Sequence, residues 1–215
     1  MNFGKTHRFV AAAIFTLMGF ATVAQSASKV DAKKDAAIAK EAQEMMRASF
    51  KTRGQASVDR LNQDETQALC SQYQDKPPKA VAAKIEAINQ KLLKYPADGK
   101  LLGDWKEGEK IAQSGVGKQF SDNPNNPAGG NCYACHQLTM TEVSYGNIGP
   151  SLYNFGKTRG YTEAMQKYTY AKISNSQAFA ACSNMPRFGH GEILTEQQLK
   201  NVTALLMDPE SPVNK

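Results

Sequence analysis

Apolar residues recur at helical spacing along most of the chain, and no stretch alternates as a half-buried strand does. Three apolar stripes between residues 28 and 94 predict helices, the second of them beginning at a Ser57 cap and running to Tyr73. The clearest stripe has spacings of four, three and four. Its members are Val81, Ile85, Ile88 and Leu92. Further helices are predicted over 104–114 and 195–207, so the pattern predicts an all-α fold.

The N-terminus has the order of residues typical of an export signal. A basic stretch, Lys5 to Arg8, precedes an apolar run over 9–24, and small residues follow up to Ala27. The run of 16 residues is shorter than the roughly 20 residues of a bilayer-spanning helix. We therefore predict a cleaved signal peptide over 1–27 and a mature periplasmic protein without a membrane span.

Turn-forming residues predict a domain boundary near residue 100. Residues 95–99 have the sequence Tyr-Pro-Ala-Asp-Gly, which favours a turn over a continuing helix. The segment 28–100 is helical in pattern and poor in reactive side chains, whereas 101–215 contains the motifs considered below. We therefore predict a helical N-terminal extension over 28–100 and a functional domain over 101–215.

Charge is distributed unevenly between these two segments. Residues 28–100 contain 14 Lys or Arg against 10 Asp or Glu, and residues 101–215 contain 10 of each. An acidic partner surface would suit the basic segment, and solvated lysines on exposed helix faces explain it equally well. Neither segment has the density of basic residues expected of a nucleic-acid-binding protein.

Two cysteines and a histidine occur together at residues 132–136, which have the sequence Cys-Tyr-Ala-Cys-His. This C-x-x-C-H pattern is typical of haem c attachment, because two thiols reach the porphyrin vinyl groups while the histidine turns onto the iron. Zinc would require further ligands at suitable spacing, and a dithiol redox site has no need of His136. We therefore predict one covalent haem, bound through Cys132 and Cys135, with His136 as an iron ligand.

A Gly-Pro-Ser-Leu sequence follows at residues 149–152, where many small cytochromes c have a Gly-Pro-x-Leu turn. In that turn the proline carbonyl accepts a hydrogen bond from Nδ1 of the haem-ligating histidine, which leaves Nε2 for the iron. We predict this role for the carbonyl of Pro150. An ordinary tight turn is the alternative.

The second iron ligand is expected among the methionines and the remaining histidine of the C-terminal half. Met140 is four residues from the histidine of the motif and cannot cross the porphyrin ring, while Met165 and Met207 lie in helical stretches. Met185 lies in a loop before the last helix, in a Met-Pro step that favours extended backbone. Met185 is therefore the predicted axial ligand, with His190 as the second choice.

Two further cysteines, Cys70 and Cys182, remain in an exported chain. Because disulfides form and persist in oxidising compartments, we predict that the two are paired. Such a bridge would join the N-terminal segment to the loop that contains Met185. A separate redox role for Cys182, which lies close to Met185 in the sequence, is the alternative.

Several of these stretches resemble one family of c-type cytochromes, the SoxX subunits of the SoxAX proteins. The stretches are 103–112, the loop up to 131, 132–136, 147–152 and 182–189. The resemblance covers 101–215, and the preceding segment resembles the N-terminal extension of the longer members. It implies a class I cytochrome c-like domain with haem thioethers at Cys132 and Cys135. It also implies axial ligation by His136 and Met185.

The same resemblance implies an activity and partners. SoxAX proteins act in periplasmic thiosulfate oxidation as L-cysteine S-thiosulfotransferases, joining thiosulfate to a cysteine of the carrier SoxYZ while two electrons leave through haem. The chain is then expected to form a heterodimer with a SoxA-like subunit, which holds the catalytic haem, and to pass electrons to a small cytochrome c. No catalytic residue is predicted in this chain. A free-standing periplasmic electron-transfer cytochrome is the main alternative, and a haem sensor or peroxidase is a third possibility.

Overall fold

The computed structural model describes the backbone of residues 20–215 and the side-chain environments from residue 34 onward. Residues 1–19, which include most of the predicted signal peptide, lie outside the described residues. The chain divides into two compact units, Met1–Lys51 and Thr52–Lys215. In the first unit, α1 (Phe20–Ser49) is one continuous helix. Within the described residues, no helix combines the length and apolar character needed to cross a bilayer.

The second unit is built from α-helices and short 3-10 helices. The α-helices are α2 (Glu65–Gln72), α3 (Lys79–Lys91), α4 (Trp105–Gln113), α5 (Phe155–Arg159), α6 (Glu163–Ser174) and α7 (Glu196–Met207). The 3-10 helices are Val58–Leu61, Cys132–Ala134, Ser176–Ala178 and Pro212–Asn214. Across the described residues the only β-type pairing is one isolated bridge between Arg53 and Ala56, so the all-α prediction is confirmed.

Helix α7 lies at the centre of the hydrophobic core of this unit. It begins with a capping box in which the Thr195 side chain accepts a hydrogen bond from the Gln198 N–H and the Gln198 side chain accepts one in return. Leu205 is fully buried. Helix α4 packs closely against α7 at Gly108, where an added Cβ would overlap the Asn201 carbonyl. The glycine therefore allows the two helices to approach each other.

The predicted helix from Ser57 to Tyr73 is wrong as a single element. Ser57 does act as a cap, but of the 3-10 helix Val58–Leu61, in which it accepts a hydrogen bond from the Asp59 N–H. Helix α2 then begins separately, because the Asp64 side chain accepts a hydrogen bond from the Gln67 N–H and forms a capping box. Two N-terminal caps within eight residues start two helices rather than one.

Helices α2 and α3 belong to the same compact unit as the C-terminal half of the chain. Helix α3 follows its predicted stripe as far as Ile88 and buries Ile85 completely, whereas Leu92 lies just after the helix and is 43% exposed. Its Asn89 side chain is also fully buried and accepts a hydrogen bond of 2.9 Å from Asn175 Nδ2, just after α6. The predicted boundary at residue 100 thus lies inside a compact unit, and its use as a domain limit stays a prediction.

Candidate functional site

The Cys-x-x-Cys-His segment forms a single tight turn. Asn131 has left-handed backbone torsions (φ 46°) and starts the 3-10 helix Cys132–Ala134. The Cys132 carbonyl then accepts hydrogen bonds from the N–H groups of Cys135 (3.1 Å) and His136 (2.9 Å). Both cysteines have free thiols. The turn therefore brings the two thiols and the imidazole to one side of the same loop.

The loop before this turn is bonded to the end of α4. The Gly130 N–H donates to the Ile111 carbonyl (2.8 Å), and the Asn131 N–H donates to the Ser114 carbonyl (2.9 Å). An added Cβ at Gly129 would overlap the Ser114 carbonyl, so the loop passes too close to α4 for any other residue there. These contacts to α4 give the loop a defined position, and the cysteine turn that follows it is fixed in the same way.

His136 is oriented by the Gly-Pro turn. Its Nδ1 lies 2.7 Å from the Pro150 carbonyl oxygen, which can only accept, so Nδ1 carries the hydrogen and Nε2 is left for a metal. The Gly149 N–H in turn donates to the Cys135 carbonyl (2.9 Å). An added Cβ at Gly149 would overlap the imidazole ring. The structure thus gives the Pro150 carbonyl the contact predicted from the sequence.

Both thiols and the imidazole line one cavity of about 580 Å³, a volume within the roughly 300–1,000 Å³ typical of cofactor sites. Its walls are mainly apolar and include Leu205 and Leu206 of α7. Burial in these surroundings raises the pKa of the Cys132 thiol to about 12. A cavity of this size with mainly apolar walls suits a large apolar group.

Among the candidates for the second ligand, only Met185 lines this cavity. Met140 is 66% exposed and Met207 is 1% exposed, and neither contributes to the cavity wall. Met165 packs partly buried against the core, also away from the cavity. His190 lies with Nε2 3.6 Å from a carboxylate oxygen of Asp64. The structure therefore brings Met185, but none of its competitors, to the cavity that His136 lines.

The cysteines outside the motif form a disulfide, Cys70–Cys182, with Cα atoms 5.4 Å apart. Cys70 lies in α2 and is buried, and Cys182 has left-handed backbone torsions (φ 55°). The bridge joins α2 to the loop that contains Met185. It does not line the cavity.

Two basic residues at the cavity wall were not identified from the sequence. Arg159, at the end of α5, and Lys172, in α6, both line the cavity. Burial lowers the pKa of Lys172, whose Nζ donates to the Ser176 carbonyl (3.1 Å). Cationic groups at the wall of an apolar cavity suit a ligand with carboxylate groups. No local pattern marks these residues, because only the packing of α5 and α6 brings them to the cavity.

Comparison with known proteins agrees with this geometry. A family model described as "Cytochrome c" matches residues 116–208, which include the cysteine turn, the Gly-Pro turn and the Met185 loop. The chain contains a cytochrome c domain over residues 116–208. It is also 38% identical over 157 residues, covering 71% of this chain and 73% of the other, to an "Uncharacterized lipoprotein" of Aquifex aeolicus (strain VF5). Members of the cytochrome c family bind haem c covalently and transfer electrons.

The residues present in this cytochrome c fold fit a haem c. Two unpaired thiols stand three residues apart beside the cavity, as two thioether bonds require. The imidazole has its Nδ1 engaged by a carbonyl, and Gly149 leaves room for the ring. Arg159 and Lys172, which line the cavity, would supply cations for the propionate groups. Each part of the ligand thus has a chemical counterpart in the cavity.

Proposed function

We propose that this cytochrome c carries one haem, attached through Cys132 and Cys135, with His136 and Met185 as the axial ligands of the iron. The observation that supports the proposal is the convergence of these four side chains on one cavity. The sequence contains a single C-x-x-C-H pattern, in agreement with one haem. When bound, the haem supplies a one-electron Fe(III)/Fe(II) couple.

The residues of the chain orient that couple and shield it from solvent. The Pro150 carbonyl fixes the imidazole of His136, and apolar side chains such as Leu205 exclude water from the cavity. An imidazole from His136 and a thioether from Met185, both bound to the iron, would leave no coordination site open to a substrate. The arrangement therefore favours electron transfer over haem-based sensing or peroxidase chemistry.

The assignment of Met185 is tested by replacing it with histidine. A thioether stabilises Fe(II) relative to a second imidazole, so we expect Met185→His to lower the reduction potential by on the order of 100 mV. Met140→His is the matched control, because Met140 is exposed and does not line the cavity. The reduction potential of the Met140→His protein should equal that of the wild type. Potentiometric titration of the purified holoproteins measures both. An unchanged potential in Met185→His contradicts the assignment.

More specifically, we propose that the chain is the electron-accepting subunit of a heterodimeric L-cysteine S-thiosulfotransferase. Support comes from the SoxX-like stretches of the sequence between residues 101 and 215. In this reaction a carrier thiol and thiosulfate form a sulfur–sulfur bond, and one proton and two electrons are released. The haem of this chain would accept the two electrons one at a time. The SoxA-like partner would provide the catalytic haem, a SoxYZ-like carrier the thiol, and a small cytochrome c the next acceptor.

The specific function is tested by purification from the native host. Co-purification with a second c-type cytochrome, together with haem reduction that requires both thiosulfate and the carrier, is the expected result. A monomer that exchanges electrons rapidly with other cytochromes, and is not reduced under those conditions, would contradict it and favour a free-standing electron carrier.

We also propose a periplasmic location for the mature chain. The export-type N-terminus, the disulfide Cys70–Cys182 and the naming of a relative as a lipoprotein support a location outside the cytoplasm. Cell fractionation tests it. The haem-stained protein should appear with periplasmic markers and at a mass smaller than that of the full chain.

A further inference from the structure

The loop that contains Met185 has few backbone hydrogen bonds of its own. From 181 to 187, the only backbone N–H that donates to a backbone carbonyl is that of Ser183, which donates to Ala180 (3.2 Å). The Arg187 carbonyl also accepts a hydrogen bond from the Gly191 N–H (2.7 Å), and the remaining hydrogen bonds of this Met185 loop, defined here as residues 181–187, involve side chains. A loop with so few internal bonds depends on its surroundings for a fixed conformation.

Two of these interactions attach the loop to α2 on either side of Met185. Three residues before it, Cys182 is disulfide-bonded to Cys70. Two residues after it, Arg187 Nη2 donates to Asp64 Oδ2 at 2.6 Å. Asp64 is the N-cap of α2. The methionine therefore lies on a short segment whose two ends are both held by the same helix.

A buried asparagine joins α2, α3 and the loop into one network. Asn89, fully buried in α3, donates through Nδ2 to Thr66 Oγ1 in α2 (2.9 Å). Its Oδ1 accepts from Asn175 Nδ2 (2.9 Å) and from Arg187 Nη1 (3.5 Å). Arg187 thus contacts both the carboxylate of α2 and the amide of α3.

The backbone of Met185 itself is also held by a hydrogen bond. The Met185 carbonyl accepts a hydrogen bond from Ser176 Oγ (2.5 Å), and Ser176 is completely buried. The 3-10 helix that contains Ser176 is bonded to α3 through Gln90 Nε2, which donates to the Ala178 carbonyl (2.6 Å). The position of the Met185 backbone is consequently tied to α3 as well as to α2.

We propose that α2 and α3 hold the Met185 loop against the haem cavity, and that Asp64 and Arg187 are positioning residues for the axial methionine. The inference rests on the proposed ligation by Met185 and assigns a role to helices that lie outside the residues matched by the cytochrome c family model. The Arg187 side chain is only 12% exposed, so its bond to Asp64 is partly shielded from water. Loss of the carboxylate leaves a largely buried cation without its anionic partner, and the C-terminal end of the loop is then held less firmly.

The substitution Asp64→Asn tests this role with little change to α2, because asparagine is as good an N-cap as aspartate. Glu65→Gln is the matched control. It removes one carboxylate from the next position of the same helix, but from an exposed ion pair with Lys84 (2.7 Å) that does not involve the loop. Each ferric holoprotein is titrated with imidazole, which binds the iron only after displacing the axial methionine.

In Asp64→Asn we expect the affinity for imidazole to rise by roughly three- to tenfold, because the variant loses one partly shielded charge-assisted hydrogen bond. Glu65→Gln should match the wild type. Arg187→Lys keeps the charge but not the planar two-nitrogen geometry, and its affinity should lie between those of the wild type and Asp64→Asn. An Asp64→Asn protein with a lower melting temperature and wild-type imidazole affinity would overturn the proposal, since a purely structural role predicts that result.

Met185→Ala separates this proposal from the one on which it rests. If Met185 is the ligand, its removal raises imidazole affinity strongly, and Asp64→Asn has no further effect in that background. Imidazole affinity unchanged by Met185→Ala would refute the ligand assignment itself. A strong effect of Met185→Ala combined with equal affinities for Asp64→Asn and Glu65→Gln would refute the positioning role alone.

Discussion

At the scale of single residues, the geometry of the site depends on what each position can accommodate. The imidazole of His136 donates to the Pro150 carbonyl and packs against the bare backbone of Gly149. The turn needs glycine here for space, because a side chain would occupy the volume of the ring. This explains in physical terms why a Gly-Pro pair is useful beside a ligating histidine.

We expect Gly149→Ala to destabilise the holoprotein by roughly 1–3 kcal/mol, the usual consequence of forcing a methyl group into a filled site. Displacement of the ring should also weaken the bond from Nδ1 to Pro150 and alter the absorption spectrum of the haem. Gly115→Ala is the control, since an added Cβ there would meet only ordinary contacts with Asn131. Denaturant unfolding and visible spectra measure both effects. Equal stability of the two variants would contradict the steric argument.

At the scale of elements, α7 contributes Val202, Leu205 and Leu206 to the cavity wall, and its start is fixed by side chains. The Thr195 hydroxyl accepts a hydrogen bond from the Gln198 N–H, and the Gln198 side chain also reaches across to donate to the Ala128 carbonyl (2.6 Å). One capping residue pair thus fixes the helix start and contacts the loop that precedes the cysteine turn. The cap therefore affects the cavity as well as the helix.

Thr195→Ala removes the hydroxyl acceptor and should lower the free energy of unfolding by about 1 kcal/mol. Thr195→Ser, which keeps the hydroxyl, should remain close to the wild type. Chemical denaturation of the two holoproteins, followed by circular dichroism, gives the difference. A Thr195→Ser variant as unstable as Thr195→Ala would show that the methyl group, and not the cap, is what matters.

At the scale of the whole molecule, the unit Thr52–Lys215 combines α2 and α3 with the residues matched by the cytochrome c family model. The Cys70–Cys182 bridge and the Asn89–Asn175 hydrogen bond both cross the predicted boundary at residue 100. Lys200, in α7, adds an ion pair with Asp98 (3.1 Å). Through these contacts, residues 52–100 contribute to the stability of the unit.

Two shortened chains, each exported behind the same cleavable signal, test this organisation. A chain that begins at Thr52 should keep the haem and melt within a few degrees of the full protein. A chain that begins at Leu101 loses the disulfide and the Asn89 network, and should melt lower by on the order of 10 °C. Calorimetry of the two holoproteins measures the difference. Equal melting temperatures would support residue 100 as a true domain limit.

The sequence by itself determined what short segments encode. The C-x-x-C-H turn and the Thr195 cap depend on residues within a few positions of one another, and the Gly-Pro step contacts a histidine only 14 positions before it, so these patterns were sufficient. The apolar stripe was not sufficient at residues 57–73, because it did not indicate that Asp64 caps a second, separate helix. Stripes indicate which face is buried, but caps decide where a helix begins.

Only the tertiary structure decided which distant groups meet. The sequence favoured Met185 on its loop context and on the SoxX resemblance, and the packing of the chain brought that methionine, rather than Met165 or His190, to the cavity. The bond between Asp64 and Arg187, 123 positions apart, had no sequence signal at all. Contacts of this kind arise from how α2, α3 and the Met185 loop pack together, and packing depends on the shape of the whole unit rather than on any local pattern.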